Sequence, residues 1–318
     1  MAGPDPAVAA VRVAVRRLLA AVRPAGVLVA CSGGADSVAL AAATAFEAPG
    51  LGVPAGLVTV DHGLQAGSAG RAAAVAELGR RLGLDPVVDR SARVGTAGGP
   101  EAAARTARYT TLEALRRGRS VLLGHTLDDQ AETVLLGLGR GSGPRSIAGM
   151  RPVEGPWLRP LLGVRRARTR AACAAEGLPV WDDPHNDDPR FTRARLRAEV
   201  LPLLEDVLAG GVTEALARTA ELLREDLDAL DELAADVAGT AVRDHVVDAV
   251  ALAAYPAAVR TRVLRGWLRP AGAAPTAAHL RALDALVADW RGQGGVALPS
   301  KLVAVRASGK LRLTRRQR

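Results

Sequence analysis

The sequence predicts an α/β fold, a parallel sheet with helices on both faces, followed by a small α+β C-terminal domain. Over the first 125 residues strand and helix signals alternate: short apolar runs near 26–31, 56–60, 86–89 and 120–124 are separated by helical patterns at about 36–46, 67–82 and 100–117. That alternation belongs to parallel sheets covered by crossover helices. A second observation is where the polar clusters fall. Ser32–Ser37, Asp61-His62-Gly63 and His125–Glu132 each follow one of the apolar runs, and in such folds ligands sit beyond the carboxyl ends of the strands. Residues 141–163 are rich in Gly and Pro and read as a long ordered loop, followed by a helix near 163–177 and a polar loop at 181–189. From about 192 to 236 the pattern is helical, with Pro202 interrupting it. Residues 240–318 read as a small helical module closed by a strand pair, Val296–Leu298 and Val303–Val305, with Lys310–Leu313 beyond the Ser308-Gly309 turn. The expected domains are 1–210 and 211–318.

At 318 residues the chain is long enough for two domains with ample core. No 18-residue apolar run is free of charge, which argues against a transmembrane helix. The N-terminus, Met1-Ala2-Gly3-Pro4-Asp5, lacks the basic and apolar regions of a signal peptide. Cys31 and Cys173 are too few for a disulfide framework or a four-cysteine zinc site. A cytoplasmic protein is expected. The net charge of +9 favours a polyanionic partner only weakly, because arginine is spread along the whole chain.

Residues 27–37, Val-Leu-Val-Ala-Cys-Ser-Gly-Gly-Ala-Asp-Ser, carry the most information. A strand ends in Ser32-Gly33-Gly34-Ala35-Asp36-Ser37 and a helical pattern follows at once. Glycines let the backbone curl so that several N–H groups face one anion, and the helix N-terminus adds partial positive charge. Ser32 and Ser37 add hydroxyl donors. Asp36 is out of place beside a phosphate unless a cation lies between them, so the loop suggests a magnesium–nucleotide complex. A plain glycine turn is the competing reading. No lysine precedes Lys301, which excludes a Walker A loop and a protein kinase.

The other clusters each carry a structural alternative. Asp61 and His62 form a capped turn on their own, but their place on the same edge favours contact with adenine or ribose. On a helix starting near Leu127, Asp128 and Glu132 share a face, with Asp129 beside them. Carboxylates this close repel one another and call for a compensating cation, a magnesium ion or an amine-bearing substrate. Helix-dipole complementation accounts for Asp128 and Asp129 but not for His125 or Glu132. Glu101, Arg105 and Arg108 recur at i, i+4, i+7, either as a solvated ion-pair face or with an arginine aimed at departing pyrophosphate. Arg193, Arg195 and Arg197 form a positive stripe suited to a phosphodiester backbone, or one side of an acid–base clamp with the acidic loop before it.

Through these residues the chain resembles the tRNA(Ile)-lysidine synthetases of the PP-loop ATP pyrophosphatase superfamily, whose sheet is Rossmann-like. The Ser-Gly-Gly-X-Asp-Ser loop marks the superfamily. Gly124–Thr133 together with Arg140-Gly141-Ser142-Gly143 marks the family. Ala194 stands where the family pattern has Asn, and the additional C-terminal domain of longer members is expected to be absent. The resemblance implies ATP-dependent adenylation of the C2 oxygen of the wobble cytidine in a CAU-anticodon tRNA(Ile). The ε-amine of free lysine then displaces AMP. It further implies ATP binding by Ser32, Gly33, Gly34, Ala35, Asp36, Ser37, Asp61 and His62, with magnesium on Asp36. Lysine would be held by Asp129 and Glu132, catalysis would fall to Asp36, His125 and Arg105, and tRNA would contact Arg193, Arg195 and Arg197. Three rivals stand beside this reading. A tRNA thiolase with the same loop is expected to carry CxxC pairs. A small-molecule amide synthetase would lack the His125–Glu132 block. A non-enzymatic RNA-binding protein would leave the anion loop without a purpose. A homodimer is among the partners this reading allows.

Overall fold

The computed structural model describes residues 3–61, 67–91, 100–141, 143–184 and 188–315, with backbone alone at 100–102 and 104. The chain folds into two compact units, Met1–Glu221 and Leu222–Arg318. The division falls later than the sequence-based break at 210, because it lies inside a long helix, Val212–Ala241.

The first unit opens with α1 (Pro6–Val22), capped by the Asp5 carboxylate. The sequence pattern did not single out this helix. Then β1 (Val27–Ala30), α2 (Ala35–Gly50), β2 (Ala55–Asp61), α3 (Ser68–Arg81), β3 (Val87–Ser91), α4 (Pro100–Arg116) and β4 (Ser120–Leu123) alternate as expected. They are followed by α5 (Leu127–Arg140), α6 (Pro144–Ile147), β5 (Val153–Glu154), β6 (Trp157–Leu158) and α7 (Arg166–Ala175). The sheet order is β3-β2-β1-β4-β6-β5, parallel throughout except for the antiparallel edge strand β5. The loop expected over 141–163 therefore contains a hairpin that extends the sheet. Its strands are only two residues long, too short for a periodic signal.

Alternation along β1 sorts the two sides of the sheet. Val27 and Val29 join the core formed with α1, α2, α3 and α7, whereas Leu28 faces the core that holds Leu112 of α4 and Val121 and Leu123 of β4. A strand apolar on both faces is the mark of a parallel sheet covered by helices on both sides. The chain leaves β1 toward β2 and β3, then returns to its other side with β4. Strand order reverses between β1 and β4, and a crevice opens at their carboxyl ends.

After α7 the chain runs through α8 (Thr192–Arg195), a π-helical turn at Leu196–Val200, and α9 (Leu201–Val207). Pro202 does not end the helix. It lies in the first turn of α9, and the wider turn before it absorbs the missing N–H. The interruption comes instead at Ala209-Gly210-Gly211, all with positive φ. The Glu205 carboxylate then accepts from the N–H groups of Val212 and Thr213, both at 3.0 Å, to start α10 (Val212–Ala241). The Thr213 hydroxyl, which also donates to it at 2.7 Å, and then those two N–H groups hold the Glu205 carboxyl down to about 2.

The second unit continues with β7 (Val242–Arg243), β8 (Val246–Asp248), α11 (Ala249–Ala253), α12 (Ala257–Leu268), α13 (Ala277–Ala288), β9 (Val296–Leu298), β10 (Leu302–Ala307) and β11 (Lys310–Arg315). Its antiparallel sheet has the order β7-β8-β11-β10-β9. The expected strand pair is there, and β7 and β8 extend it. Its own core gathers Leu252, Leu264, Trp267, Leu268, Leu283 and Leu311. No described helix is long and apolar enough to cross a membrane.

Candidate active site

The turn after β1 is shaped from within. Gly33 adopts φ +92°, a region that disfavours side chains. The Ser37 hydroxyl, one helical turn on, accepts from the Ser32 N–H at 3.1 Å and donates to the Gly34 carbonyl at 2.9 Å. The Trp181 N–H fixes the loop from outside by donating to the Gly33 carbonyl at 2.9 Å. At the neighbouring strand end, Gly124 follows β4 where a side chain would crowd the next strand's loop. A Cβ there would lie 3.1 Å from the backbone of Asp36 and Ser37. Gly124→Val is therefore expected to displace the start of α2 and weaken ATP binding about tenfold, read by calorimetric titration. Unchanged affinity would show that the contact does not shape the loop.

A cavity of about 790 Å³ occupies the crevice. Ser32, Gly34, Asp36 and Ser37 line it from β1 and α2, Asp61 from β2, His125 and Asp129 from the β4–α5 connection, and Arg197 from the turn after α8. Three separate polar clusters of the sequence thus meet in one space. His62 lies outside the described residues, as does the side chain of Glu101.

The acidic cluster has its cation, and the cation is Arg166, which the sequence pattern did not single out. From the first turn of α7 its guanidinium reaches Asp129 Oδ1 at 2.6 Å, Asp36 Oδ2 at 3.4 Å and Glu132 Oε1 at 3.5 Å. Its backbone N–H donates to Asp128 Oδ2 at 2.7 Å. One guanidinium therefore joins the anion loop to the carboxylates of α5. Arginine opening a helix opposes the helix dipole, and Arg165-Arg166 at such a place is the signal that a carboxylate nest lies opposite.

Each carboxylate also has local work. Asp129 Oδ2 accepts from the N–H and hydroxyl of Thr126 at 2.7 and 2.9 Å, capping α5. Burial opposes the charge of Asp129, but Arg166 and the Thr126 N–H outweigh it and hold the carboxyl below its ordinary range. Burial pushes the Asp36 carboxyl up, against the Thr169 hydroxyl that donates to it and the charge of Arg166. Glu132 is fully buried and faces Arg197 at 3.0 Å, Arg193 at 3.4 Å and Arg166 at 3.5 Å.

The positive stripe is therefore divided. Arg193 and Arg197 turn inward to Glu132, while the exposed Arg195 pairs with Glu199 at 2.8 Å. The clamp with the acidic loop is the alternative reading of this stripe, and residues 185–187 of that loop lie outside the described residues. Asp182 pairs with Arg170 and Asp188 with Arg190.

Arg105 and Arg108 separate as well. Arg105 is exposed, its guanidinium 5.0 Å from the Tyr109 ring, whereas Arg108 lines the cavity. Arg108 lines the cavity and Arg105 does not: positions three apart share a helix face, and it is burial rather than spacing that separates the two. Beside it, His125 keeps a buried Nδ1 with no hydrogen-bond partner among the described residues. Burial, reinforced by Arg108, Arg159 and Arg105 against the pull of Asp129, lowers its pKa to about 3. The imidazole is neutral at physiological pH.

Cys31 and Cys173 are both buried, donating to the Ser37 hydroxyl and the Ala35 carbonyl at 3.5 and 3.4 Å. They serve the base of the loop.

Comparison with known proteins agrees with this geometry. A family model described as a PP-loop domain matches residues 9–204, and one described as a TilS substrate binding domain matches 248–312. The chain is 56% identical to tRNA(Ile)-lysidine synthase of Thermobifida fusca, covering 98% of both chains, and 57% identical to that of Nocardia farcinica, covering 92% of each. Among solved structures, the U34-tRNA thiolase NcsA of Methanococcus maripaludis, which carries a [4Fe-4S] cluster, aligns with a TM-score of 0.56 over 69% of this chain and 80% of its own. At 18% identity that likeness extends to the fold alone. A parallel sheet with its anion loop at the switch point, an acidic helix opposite, and relatives matched from end to end have one common explanation: the chain belongs to the tRNA(Ile)-lysidine synthase family.

Proposed function

We propose that the protein is a ligase that converts the wobble cytidine of CAU-anticodon tRNA(Ile) to lysidine in the cytoplasm, using ATP and free lysine. The cytidine O2 attacks the α-phosphorus and pyrophosphate departs. The lysine ε-nitrogen then forms a bond to C2, the C2–O bond breaks, AMP leaves, and the nitrogen gives up its proton. The observation that carries this reading is the single guanidinium shared by Asp36, at the anion loop, and by Asp129 and Glu132. That shared cation supports a reading in which a triphosphate at the anion loop and an ammonium at Asp129 would meet across one cavity.

The roles follow from position. Ser32–Ser37 receive the phosphates on backbone N–H groups at the start of α2, and Asp61 lies where adenosine would extend. Magnesium typically takes one or two carboxylates together with phosphate oxygens. Asp36, a carboxylate on the cavity wall beside the anion loop, suits that demand. The ion would neutralise charge on the departing pyrophosphate. Arg108, half-buried with a buried Nε that has no partner among the described residues, takes the charge-stabilising part expected of Arg105. His125, held neutral, offers a hydrogen-bonding nitrogen rather than a charge. Asp129 is the first carboxylate that the lysine ammonium meets, with Glu132 behind it. Arg195 is available to a phosphodiester, since its pair with Glu199 is exposed, screened by solvent and easily opened. The target base must leave its stack to enter the cavity. Residues 248–312 add tRNA contacts.

The test is incubation of the protein with CAU-anticodon tRNA(Ile), ATP and labelled lysine, followed by nucleoside analysis. Lysidine in the digest, with pyrophosphate release that requires the tRNA, is the expected result. Release without tRNA would indicate a small-molecule synthetase, and no release an RNA-binding protein. The thiolase reading loses its support because both cysteines are buried in the base of the loop.

A further inference from the structure

Arg166 holds the place that the substrate amine needs. Its guanidinium donates to Asp129 and lies against Glu132, and Glu132 already faces Arg193 and Arg197. A primary ammonium and a guanidinium are both cationic donors, so the two compete for the same carboxylate oxygens. Both Asp129 oxygens are already engaged, Oδ2 by Thr126 and Oδ1 by Arg166, so an ammonium reaching Oδ1 would have to share it with the guanidinium.

The competitor also has somewhere to go. Its Nε already lies 3.4 Å from Asp36, in the first turn of the helix that follows the anion loop. Phosphate oxygens delivered to that loop offer a bidentate partner stronger than a shared carboxylate. The Arg166 backbone stays fixed by its N–H bond to Asp128, so side-chain rotation alone carries the guanidinium across. We propose that Arg166 sets substrate order: it occupies the amine subsite in the resting enzyme and cedes it when a nucleoside triphosphate fills the anion loop, so that lysine enters after ATP. This rests on the assignment of Asp129 and Glu132 to lysine. Its consequence is that amine is kept out until an electrophile can be made.

The experiment is equilibrium dialysis of labelled lysine against the full chain, with and without α,β-methylene-ATP and magnesium. In the wild type the nucleotide is expected to tighten lysine binding about tenfold or more. In Arg166→Ala lysine binds without nucleotide, and the ratio of the two affinities falls toward one. Arg166→Gln, which keeps hydrogen bonds but no charge, gives the same answer if removing the whole side chain unsettles the fold. An unchanged ratio in the variants, or lysine affinity independent of nucleotide in the wild type, overturns the proposal. Asp129→Asn separates this from the underlying assignment. If lysine binding with nucleotide present is indifferent to that change, the subsite itself is misplaced and both ideas fall.

Discussion

Asp36→Ala is expected to abolish tRNA-dependent pyrophosphate release while leaving tRNA binding largely intact. The carboxylate lies beside the anion loop, held by Thr169 and Arg166 at the point where the triphosphate would end. Removing one preorganised charge from such a site costs about 100- to 1,000-fold in rate; loss of the carboxylate proposed above for magnesium would add to that. The measurement pairs pyrophosphate release with filter binding of CAU-anticodon tRNA. Asp36→Asn keeps a partner for Thr169 without the charge, so it should share the catalytic defect but not any folding defect. Parallel loss of tRNA binding in both variants would mean that Asp36 acts on the fold rather than on the nucleotide.

Glu132→Ala should have the next largest effect, and on two properties at once. It removes the one buried anion shared by Arg166, Arg193 and Arg197. Arg193 and Arg197 are about a third exposed and Arg166 keeps Asp129, so the cost falls below that of a wholly buried pair, about 1–3 kcal/mol, read as a lowered midpoint in urea. Among molecules that remain folded, the KM for lysine should rise well beyond the KM for ATP. Equal rises would mean that Glu132 serves only to arrange the arginines.

Much of the first unit is legible in the sequence, for identifiable reasons. The strands β1, β2 and β4 are Val- and Leu-rich runs bounded by glycine and polar residues, and α2 and α5 follow directly on polar clusters. Alternation and the placement of those clusters are local properties, and they also predict that Ser32–Ser37, Asp61 and His125–Glu132 share an edge. Two-residue strands such as β5 and β6 carry no period, and the bend at Ala209-Gly210-Gly211 is overshadowed by the more conspicuous Pro202. What the site demands beyond this is tertiary. Carboxylate spacing on α5 calls for a cation, but only the fold brings α7 against it and supplies Arg166 from the protein itself. The inward turn of Arg193 and Arg197 likewise depends on Glu132, far away in the sequence. Arg105 and Arg108 share a face of α4 by their spacing, and burial is what separates them.

The bond from the Trp181 N–H to the Gly33 carbonyl carries a consequence for how small the nucleotide binder can be made. The glycine fingerprint is complete by residue 37, yet its curvature is secured by a segment that is synthesised much later. Thr169 and Cys173 add further ties from α7 to the start of α2. A truncated polypeptide ending after β4 would possess the signature and still lack a rigid receptor for phosphate. Contacts so distant along the chain also form late in folding, so nucleotide capture reports on maturation of the whole N-terminal half.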